Sequence, residues 1–270
     1  MALQLEVISR QPIIPTDKPP ILFVHGAWHA AWCWDQHFLP YFAEQGFPVH
    51  ALSFRAHGQS EGNRKPRGKR ITHYVADVAQ VATQIGHPPI LISHSMGALV
   101  VEKYLETHPA RAAVYLAPVP PQGVLGTTLR ILRRHPGAFL RANLETRLYP
   151  IVGSPRLTRD AFFSAEMSDE QVQTYFQQIQ DESYLAFLDM LVFTLARPQR
   201  VRARNPIPIL VLGAAHDRIF TPREVQSFAR AYATTAEIFP NTAHDMMLET
   251  TWQQVAERIN AWLGDVLAGK

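Results

Sequence analysis

The chain has 270 residues, of which 47% are hydrophobic and 18% charged, and its formal net charge is +3. This length and composition suit one large α/β domain with an insertion. The charge is too small for dedicated nucleic-acid binding, and no apolar run approaches the roughly 18 residues of a membrane span. We therefore expect neither a nucleic-acid partner nor a transmembrane segment.

The chain start and the cysteine content favour a cytoplasmic protein. Residues 1–10 alternate like a strand and lack the charged start and long apolar centre of a signal peptide. Cys33 is the only cysteine, so no internal disulfide can form, which agrees with a reducing compartment. Because Cys33 lies between Trp32 and Trp34 on a predicted buried helix, we expect a packed thiol rather than a nucleophile.

Strand and helix patterns alternate over the first 116 residues. Residues 3–8 alternate like an edge strand, and the uninterrupted apolar run Ile21–Val24 predicts a strand covered on both faces. The next predicted elements are a helix over 32–45, a strand over 48–54, a helix over 72–85, a strand over 90–94, a helix over 96–107 and a strand over 112–116. This alternation predicts right-handed crossovers and a mostly parallel sheet.

A long helical stretch without a convincing strand follows, from Pro118 to Pro208. The α/β pattern then resumes with a strand over 209–213, a helix over 222–233, a strand over 237–239 and a helix over 251–267. We therefore expect an α/β core formed by residues 1–118 and 206–270, with a helical cap inserted at residues 119–205.

Charge divides the predicted cap into two halves. Seven arginines oppose one acid, Glu145, in the first half: Arg130, Arg133, Arg134, Arg141, Arg147, Arg156 and Arg159. The second half is acidic: Asp160, Glu166, Asp169, Glu170, Asp181, Glu182 and Asp189. Mutual attraction of the halves explains this pattern. Alternatively, the basic amphipathic stretch 129–148 makes transient contact with an anionic membrane surface or receives acidic substrates.

Ser95 lies on the predicted turn between the strand over 90–94 and the following helix. A sharp turn of this kind holds a hydroxyl away from the backbone and needs small neighbours, and Ser93, Gly97 and Ala98 are all small. The pattern resembles the Gly-x-Ser-x-Gly nucleophile elbow of the α/β-hydrolases, with Ser93 at the position of the first glycine. Ser95 is therefore the candidate nucleophile.

A serine nucleophile needs a base, and the base needs an acid that fixes its tautomer. In α/β-hydrolases the chain order is serine, acid, histidine. Asp217 follows the strand over 209–213, and His244 follows the last predicted strand. Asp245 is the rival acid, but adjacent residues rarely orient each other's rings correctly. We therefore predict a triad of Ser95, Asp217 and His244.

The tetrahedral intermediate of acyl transfer needs two donors for its oxyanion. The backbone N–H of Met96 opens a helix just after the nucleophile, and the loop after Val24 offers that of Ala27. Large apolar side chains are candidates for an acyl pocket. Those that we predict to line it are Trp28, Phe139, Phe163, Phe187, Met190 and Met246.

No metal site is expected. His25 and His29 have the spacing of a helical metal pair, but Gly26 and the position after a strand argue against a helix, and no third ligand is evident. We expect His57 to order the loop beneath the site and His94 to pack under the elbow.

Two longer motifs carry a family resemblance. His25-Gly-Ala-Trp-His-Ala-Ala-Trp-Cys-Trp34 is similar to a segment of plant methylesterases and of bacterial esterase or lysophospholipase-like members of the α/β-hydrolase superfamily. Arg55-Ala-His-Gly-Gln-Ser60 is similar to the Arg-Gly-His-Gly-x-Ser motif of that superfamily. The resemblance implies an α/β-hydrolase fold with a mostly parallel eight-stranded sheet, oxyanion donors at Ala27 and Met96, and no cofactor. The related hydroxynitrile lyases carry Thr and Lys where this chain has Gly26 and Asp245, which disfavours a lyase.

The residues and the resemblance together predict a serine hydrolase of carboxylic esters with a hydrophobic or lipid-like portion. The alternatives are a thioesterase, C–C hydrolase, perhydrolase or lyase on the same fold, and a ligand-binding member that keeps the triad without activity.

Overall fold

A computed structural model describes residues 3–62 and 64–269. Over these residues, strands in chain order form one sheet: β1 (Val7–Arg10), β2 (Ile21–Val24), β3 (Val49–Leu52), β4 (Ile90–His94), β5 (Ala112–Leu116), β6 (Ile209–Ala214) and β7 (Ala236–Phe239). The spatial order is β1-β3-β2-β4-β5-β6-β7. β1 pairs antiparallel with β3, and the other pairs are parallel. The mostly parallel sheet predicted from the sequence is confirmed.

The expected count of eight strands is wrong for the described residues, which form seven. The edge strand lies at Val7–Arg10 rather than at 3–8. Residues 11–20 connect it to β2 without a strand. This connection contains Pro12, Pro15, Pro19 and Pro20, and proline has no N–H to donate to a neighbouring strand. The antiparallel β1 is therefore the only strand before β2 in the described part of the chain.

Helices cover the sheet and make up much of the segment between β5 and β6. In chain order they are α1 (Trp32–Asp35), α2 (Phe38–Glu44), α3 (Ile71–Ile85), α4 (Met96–Leu105), α5 (Leu125–Arg134), α6 (Pro136–Glu145), α7 (Pro155–Phe162), α8 (Asp169–Phe176), α9 (Tyr184–Leu188), α10 (Pro198–Arg204), α11 (Pro222–Ala231) and α12 (Trp252–Leu267). None of these helices has the length and apolar composition needed to cross a bilayer.

The single helix predicted over 32–45 is instead two helices. His37, between α1 and α2, has φ of −139°, outside the helical region. Pro40 accounts for the break because it has no N–H for the carbonyl of Gln36, four residues earlier, and its ring crowds that carbonyl. Cys33 lies in α1 and is fully buried.

The segment between β5 and β6 consists of helices, turns and loops, and its described residues contain no strand. Besides α5 to α10 it contains a 3₁₀ turn at Tyr149–Ile151 and a π-helical turn at Asp189–Phe193. Three arginine–aspartate ion pairs join its basic half to its acidic half: Arg134–Asp160 at 2.5 Å, Arg147–Asp181 at 2.7 Å and Arg159–Asp169 at 2.8 Å. Each such surface pair contributes at most about 1 kcal/mol. We refer to residues 119–205 as the inserted segment.

The strand order reverses between β2 and β4. From β2 the chain first adds β3 on one side and then crosses to add β4 on the other. In open α/β sheets, ligands bind at the carboxyl ends of the strands beside such a reversal. The loop after β2 and the turn after β4 therefore meet at the position where a site is expected.

Candidate active site

Ser95 occupies a strained turn between β4 and α4. Its φ of 53° and ψ of −119° are rare for a residue with a side chain, and they point the hydroxyl away from the sheet. The turn brings α4 against the loop after β2: a Cβ on Gly97 would lie 2.5 Å from the His25 carbonyl oxygen and 2.6 Å from that of Val24. Ser93 fits at the first position of the elbow, where its buried hydroxyl donates to the Val114 carbonyl at 3.3 Å.

Ser95, His244 and Asp217 form one hydrogen-bonded chain. The Ser95 Oγ lies 3.0 Å from His244 Nε2, and His244 Nδ1 lies 2.8 Å from Asp217 Oδ2. The other carboxylate oxygen, Asp217 Oδ1, accepts from the backbone N–H groups of Ile219 at 2.7 Å and Phe220 at 2.8 Å. These donors fix the carboxylate, which then holds the His244 proton on Nδ1 and leaves Nε2 free to accept the serine proton.

Two backbone amides border the cavity at Ser95. The N–H groups of Ala27 and Met96 donate to no acceptor within residues 3–62 and 64–269. Ala27 precedes Trp28, which has φ of 65°, and Met96 is the first residue of α4. Both residues line the same cavity as Ser95. An oxyanion formed there would meet two donors that have no competing protein partner, and the helix N-terminus favours its charge.

The cavity at Ser95 is apolar and lies between the core and the inserted segment. Four of the six predicted pocket residues line it: Trp28, Phe139, Phe187 and Met190. Phe163 packs its ring on Phe162 and Tyr175 instead. Met246 is fully buried in the core.

Sequence reasoning missed most of the wall that the inserted segment contributes. These residues are Val124, Thr127, Thr128, Ile131, Ala142, Asn143, Leu148, Ile151 and Tyr184. The signal was present in their spacing, because 124, 127, 128 and 131 follow the three- and four-residue steps of one helix face. On the core side, Ile219 and Phe220, next to Asp217, also line the cavity.

The remaining histidines do not form the zinc pair considered above. His25 Nδ1 lies 2.7 Å from the Gly26 carbonyl, and His25 Nε2 accepts from the Phe54 N–H. Burial, with His57 nearby, holds the pKa of His25 well below its usual value. His57 instead contacts Glu182 of the inserted segment at 3.1 Å.

One group of three possible metal ligands occurs in the described part of the chain, namely His94, His244 and Asp245. Both nitrogens of His244 already have partners, Asp217 and Ser95. The Nε2 of His94 contacts the His244 carbonyl at 2.9 Å. A metal bound there would displace the contact between His244 and Ser95, so the group does not suit a resident ion.

Comparisons with known proteins agree on one family. A sequence model described as the alpha/beta hydrolase family matches residues 21–258. Methyl jasmonate esterase 1 of Vitis vinifera is 32% identical over 95 residues, which are 34% of this chain and 36% of that protein. Epoxide hydrolase B of Mycobacterium tuberculosis is 30% identical over 118 residues, 42% of this chain and 33% of that protein. The aligned part thus spans about a third of each of these relatives.

Solved structures match over nearly the whole chain. The monoacylglycerol lipase of Paleococcus ferrophilus has a TM-score of 0.71 at 18% identity, covering 97% of this chain and 99% of that one. A thermophilic esterase from Thermogutta terrifontis has a TM-score of 0.70 at 17% identity, covering 98% and 94%. Similarity at these identities establishes the fold.

Proposed function

This chain belongs to the alpha/beta hydrolase family, and we propose that it hydrolyses carboxylic esters through Ser95, His244 and Asp217. The observation that carries the proposal is the hydrogen-bonded chain of these three side chains, which ends at a serine hydroxyl in an apolar cavity beside two unengaged backbone amides. An esterase and a lipase among the relatives support the same reaction class.

The reaction proceeds in two halves. The Ser95 oxygen attacks the ester carbonyl as His244 Nε2 takes the hydroxyl proton, and the N–H groups of Ala27 and Met96 stabilise the oxyanion. His244 then protonates the leaving alcohol, which leaves an acyl group on Ser95. A water molecule, deprotonated by His244, attacks the acyl carbonyl and releases the acid. Asp217 keeps His244 oriented and balances the imidazolium formed in each half.

The cavity points to an ester with a hydrophobic portion. Its walls are aliphatic and aromatic side chains, with Thr127, Thr128, Asn143 and Tyr184 as the polar exceptions besides Ser95. A charged substrate would lose hydration there without a charged partner. A neutral ester with an acyl or aryl group of lipid-like character gains from burial instead.

The Ser95→Ala variant tests the assignment of the nucleophile. Turnover of nitrophenyl esters should fall roughly 10⁶-fold, as in knockouts of other serine triads. Ser93→Ala is the matched control because its hydroxyl bonds only to a backbone carbonyl of β5, and it should retain most activity. Near-normal turnover by Ser95→Ala would refute the proposal. A fluorophosphonate probe should label Ser95 in the wild-type protein, which a ligand-binding member without an activated serine would not show.

A substrate panel then separates this reaction from others on the same fold. It contains esters of increasing acyl length, the matching thioesters and cyanohydrins. Preference for oxygen esters supports the proposal, whereas preference for thioesters or cyanohydrins indicates a thioesterase or a lyase.

We further propose that residues 119–205 act as a cap whose exposed leucines meet an anionic lipid surface. Besides the stripe that lines the cavity, α5 and α6 carry a second stripe of leucines that are 40–77% exposed: Leu125, Leu129, Leu132, Leu140 and Leu144. Exposed arginines, such as Arg133 and Arg141, lie between them. Exposed apolar side chains with basic neighbours are typical of helices that lie on anionic membranes.

Liposome flotation tests this surface. The wild-type protein should float with anionic vesicles more than with neutral ones, and Leu140→Gln with Leu144→Gln should abolish the difference. Leu267→Gln, at an exposed leucine near the end of α12, is the control. Equal flotation of the wild type with both vesicle types would remove the proposal of a lipid surface and leave that of ester hydrolysis intact.

A further inference from the structure

A second histidine–carboxylate pair lies behind the candidate active site. His29 Nε2 is 2.9 Å from Asp245 Oδ2, and the two side chains are 1% and 0% exposed. The two residues are 216 positions apart in the chain. Neither lines the cavity at Ser95, so the pair has no direct access to substrate.

Both ring nitrogens of His29 face hydrogen-bond acceptors. While Nε2 faces the Asp245 carboxylate, Nδ1 is 2.7 Å from the carbonyl oxygen of Ala27. A neutral imidazole has one N–H and one lone pair, so one of these contacts would set a lone pair against an acceptor oxygen. An imidazolium donates to both. The Trp32 ring stacks on His29 with 5.4 Å between centroids, which also suits a cation.

The electrostatics of the pair agree with this geometry. Burial alone would lower the pKa of His29, but the charge and hydrogen bond of Asp245 raise it above its usual value. Burial opposes ionisation of Asp245 as well, yet the charge of His29 and the hydrogen bond to it bring the pKa of Asp245 below its usual value. Several other ionisable groups lie close enough to interact with the pair: Glu182 and His25 with His29, and His94, His244, Cys33, Tyr175 and Glu249 with Asp245.

One end of the pair holds the loop that supplies an oxyanion donor. His29 binds the carbonyl of the peptide between Ala27 and Trp28. Trp28 has φ of 65°, which a residue other than glycine keeps only when its surroundings enforce it. The orientation of the Ala27 N–H depends on the same backbone, so the bond from His29 fixes the direction of that donor.

The other end holds the loop of the general base. Asp245 directly follows His244, and its backbone N–H donates to the Phe162 carbonyl of the inserted segment at 3.1 Å. His94 directly precedes Ser95 and donates from Nε2 to the His244 carbonyl at 2.9 Å. His29 and Asp245 therefore connect the loop after β2 to the loop after β7, next to the elbow.

We propose that His29 and Asp245 are positioning residues: a buried imidazolium–carboxylate pair sets the oxyanion donor of Ala27 and the base His244 relative to each other. The kinetic part of this inference rests on the proposed ester hydrolysis, whereas the charge state of His29 does not.

Nitrogen NMR of the wild-type protein tests the charge state without any mutation. With ¹⁵N-labelled histidine, both ring nitrogens of His29 should stay protonated to a higher pH than those of the exposed histidines in the same sample. Assignment comes from the signals lost in His29→Gln. A His29 ring that loses its second ring proton at the same pH as the exposed histidines, or at a lower pH, would overturn the inference.

Asp245→Asn tests the positioning role at nearly constant volume. Without the carboxylate, His29 becomes neutral, so its bond to the Ala27 carbonyl loses the added strength of a charged donor, whichever way the new amide faces Nε2. We expect kcat to fall about 10- to 100-fold, as for small misplacements of catalytic groups, with KM unchanged because the cavity wall is untouched. Asp77→Asn is the matched control, since Asp77 is equally buried and pairs with Arg55 at 2.6 Å. It should lower Tm and leave kcat unchanged.

Fluorophosphonate labelling of Ser95 separates the two proposals. The labelling rate should fall in Asp245→Asn in parallel with kcat, because the phosphonyl oxygen needs the same two donors. If the wild-type serine is not labelled, the proposed ester hydrolysis fails. If the wild type is labelled and Asp245→Asn is labelled equally fast, the positioning role fails while ester hydrolysis stands.

Discussion

Two histidine–carboxylate pairs lie side by side in this molecule, and their geometry is nearly the same. The distance from nitrogen to oxygen is 2.8 Å between His244 and Asp217 and 2.9 Å between His29 and Asp245. They differ at the other ring nitrogen. His244 Nε2 faces a hydroxyl, which donates, whereas His29 Nδ1 faces a carbonyl, which accepts. We attribute the roles proposed for the two rings, a base at His244 and a fixed cation at His29, to this second partner rather than to the carboxylate.

Their surroundings reinforce this difference. Asp217 accepts two backbone N–H bonds besides that of His244, and the two donors, Ile219 and Phe220, line the cavity. Asp245 Oδ1 has no hydrogen-bond partner among the residues with described side chains. An anion with few donors is stable in a buried place only if a cation stays beside it. The second pair is therefore built to keep its charges, and the first to exchange a proton.

Asp217→Asn should break the first pair with the largest effect. An amide in place of the carboxylate can donate to Nδ1, which favours the His244 tautomer with its proton on Nε2 and removes the base. We expect kcat for a nitrophenyl ester to fall about 10⁴-fold, with the fold intact by circular dichroism. This loss should exceed that of Asp245→Asn by at least about a hundredfold. The reverse order of the two losses would contradict the roles assigned to the pairs.

The fold and the proposed triad were accessible from the sequence because they depend on local patterns. The family and the α/β-hydrolase fold predicted from the motifs at 25–34 and 55–60 are confirmed. Ser95, Asp217 and His244 each follow an apolar strand, and parallel strands carry their carboxyl ends to one edge. Strand position alone therefore brought the three residues together.

The second pair was not accessible in the same way. Nothing in the spacing of His29 and Asp245 indicates that they meet, since the contact joins two loops 216 positions apart. Asp245 was recognised only as a rival of Asp217. The break between α1 and α2 depends on a proline that a count of apolar positions overlooks, whereas the eighth strand came from the family resemblance, since the residue patterns themselves predict seven strands. The residues of α5 that line the cavity were hard to identify from the sequence, because the exposed leucines of the same helix form a second stripe that is as apolar as the lining stripe.

The Gly26→Ala variant tests whether the positions of the two histidine–carboxylate pairs depend on each other. The His94 ring lies between them, with its centroid 4.6 Å from that of His244 and 6.3 Å from that of His29. A Cβ on Gly26 would come within 2.8 Å of His94 Nδ1 and 3.0 Å of the Ser95 Cβ. Both neighbours must move, so we expect a loss of about 1–3 kcal/mol in the free energy of unfolding.

The same displacement should lower kcat. A small shift of Ser95 relative to His244 should reduce kcat about 10- to 100-fold, measured together with urea unfolding. Gly264→Ala in α12 is the control, because a Cβ there meets nothing within 4 Å. Its kcat should equal that of the wild type. A fully active Gly26→Ala variant would mean that the two pairs tolerate independent movement.

The buried carboxyl group of Glu102 has no histidine beside it, and its protonation state can be compared with that of Asp245. Glu102 in α4 is fully buried, and its Oε1 accepts from the Tyr232 hydroxyl at 2.6 Å. Burial raises its pKa to about 8, although the Tyr232 hydrogen bond acts in the opposite direction. Because burial outweighs the attraction of the neighbouring Lys103, this acid keeps its proton near neutral pH, whereas the Asp245 carboxylate beside His29 does not.

The effect on stability follows from this pKa and has a definite sign. Between the unfolded value near 4.5 and the folded value of about 8, the folded protein binds the Glu102 proton and the unfolded chain does not. Stability should therefore fall as pH rises through this window, by up to about 1.4 kcal/mol per pH unit, and level off above it.

Glu102→Gln keeps an acceptor for Tyr232 and cannot ionise, so its stability relative to the wild type should increase from pH 5 to pH 8. Urea unfolding across that range measures the difference. A difference between Glu102→Gln and wild type that stays constant with pH would mean that Glu102 is ionised in its buried position, as Asp245 is.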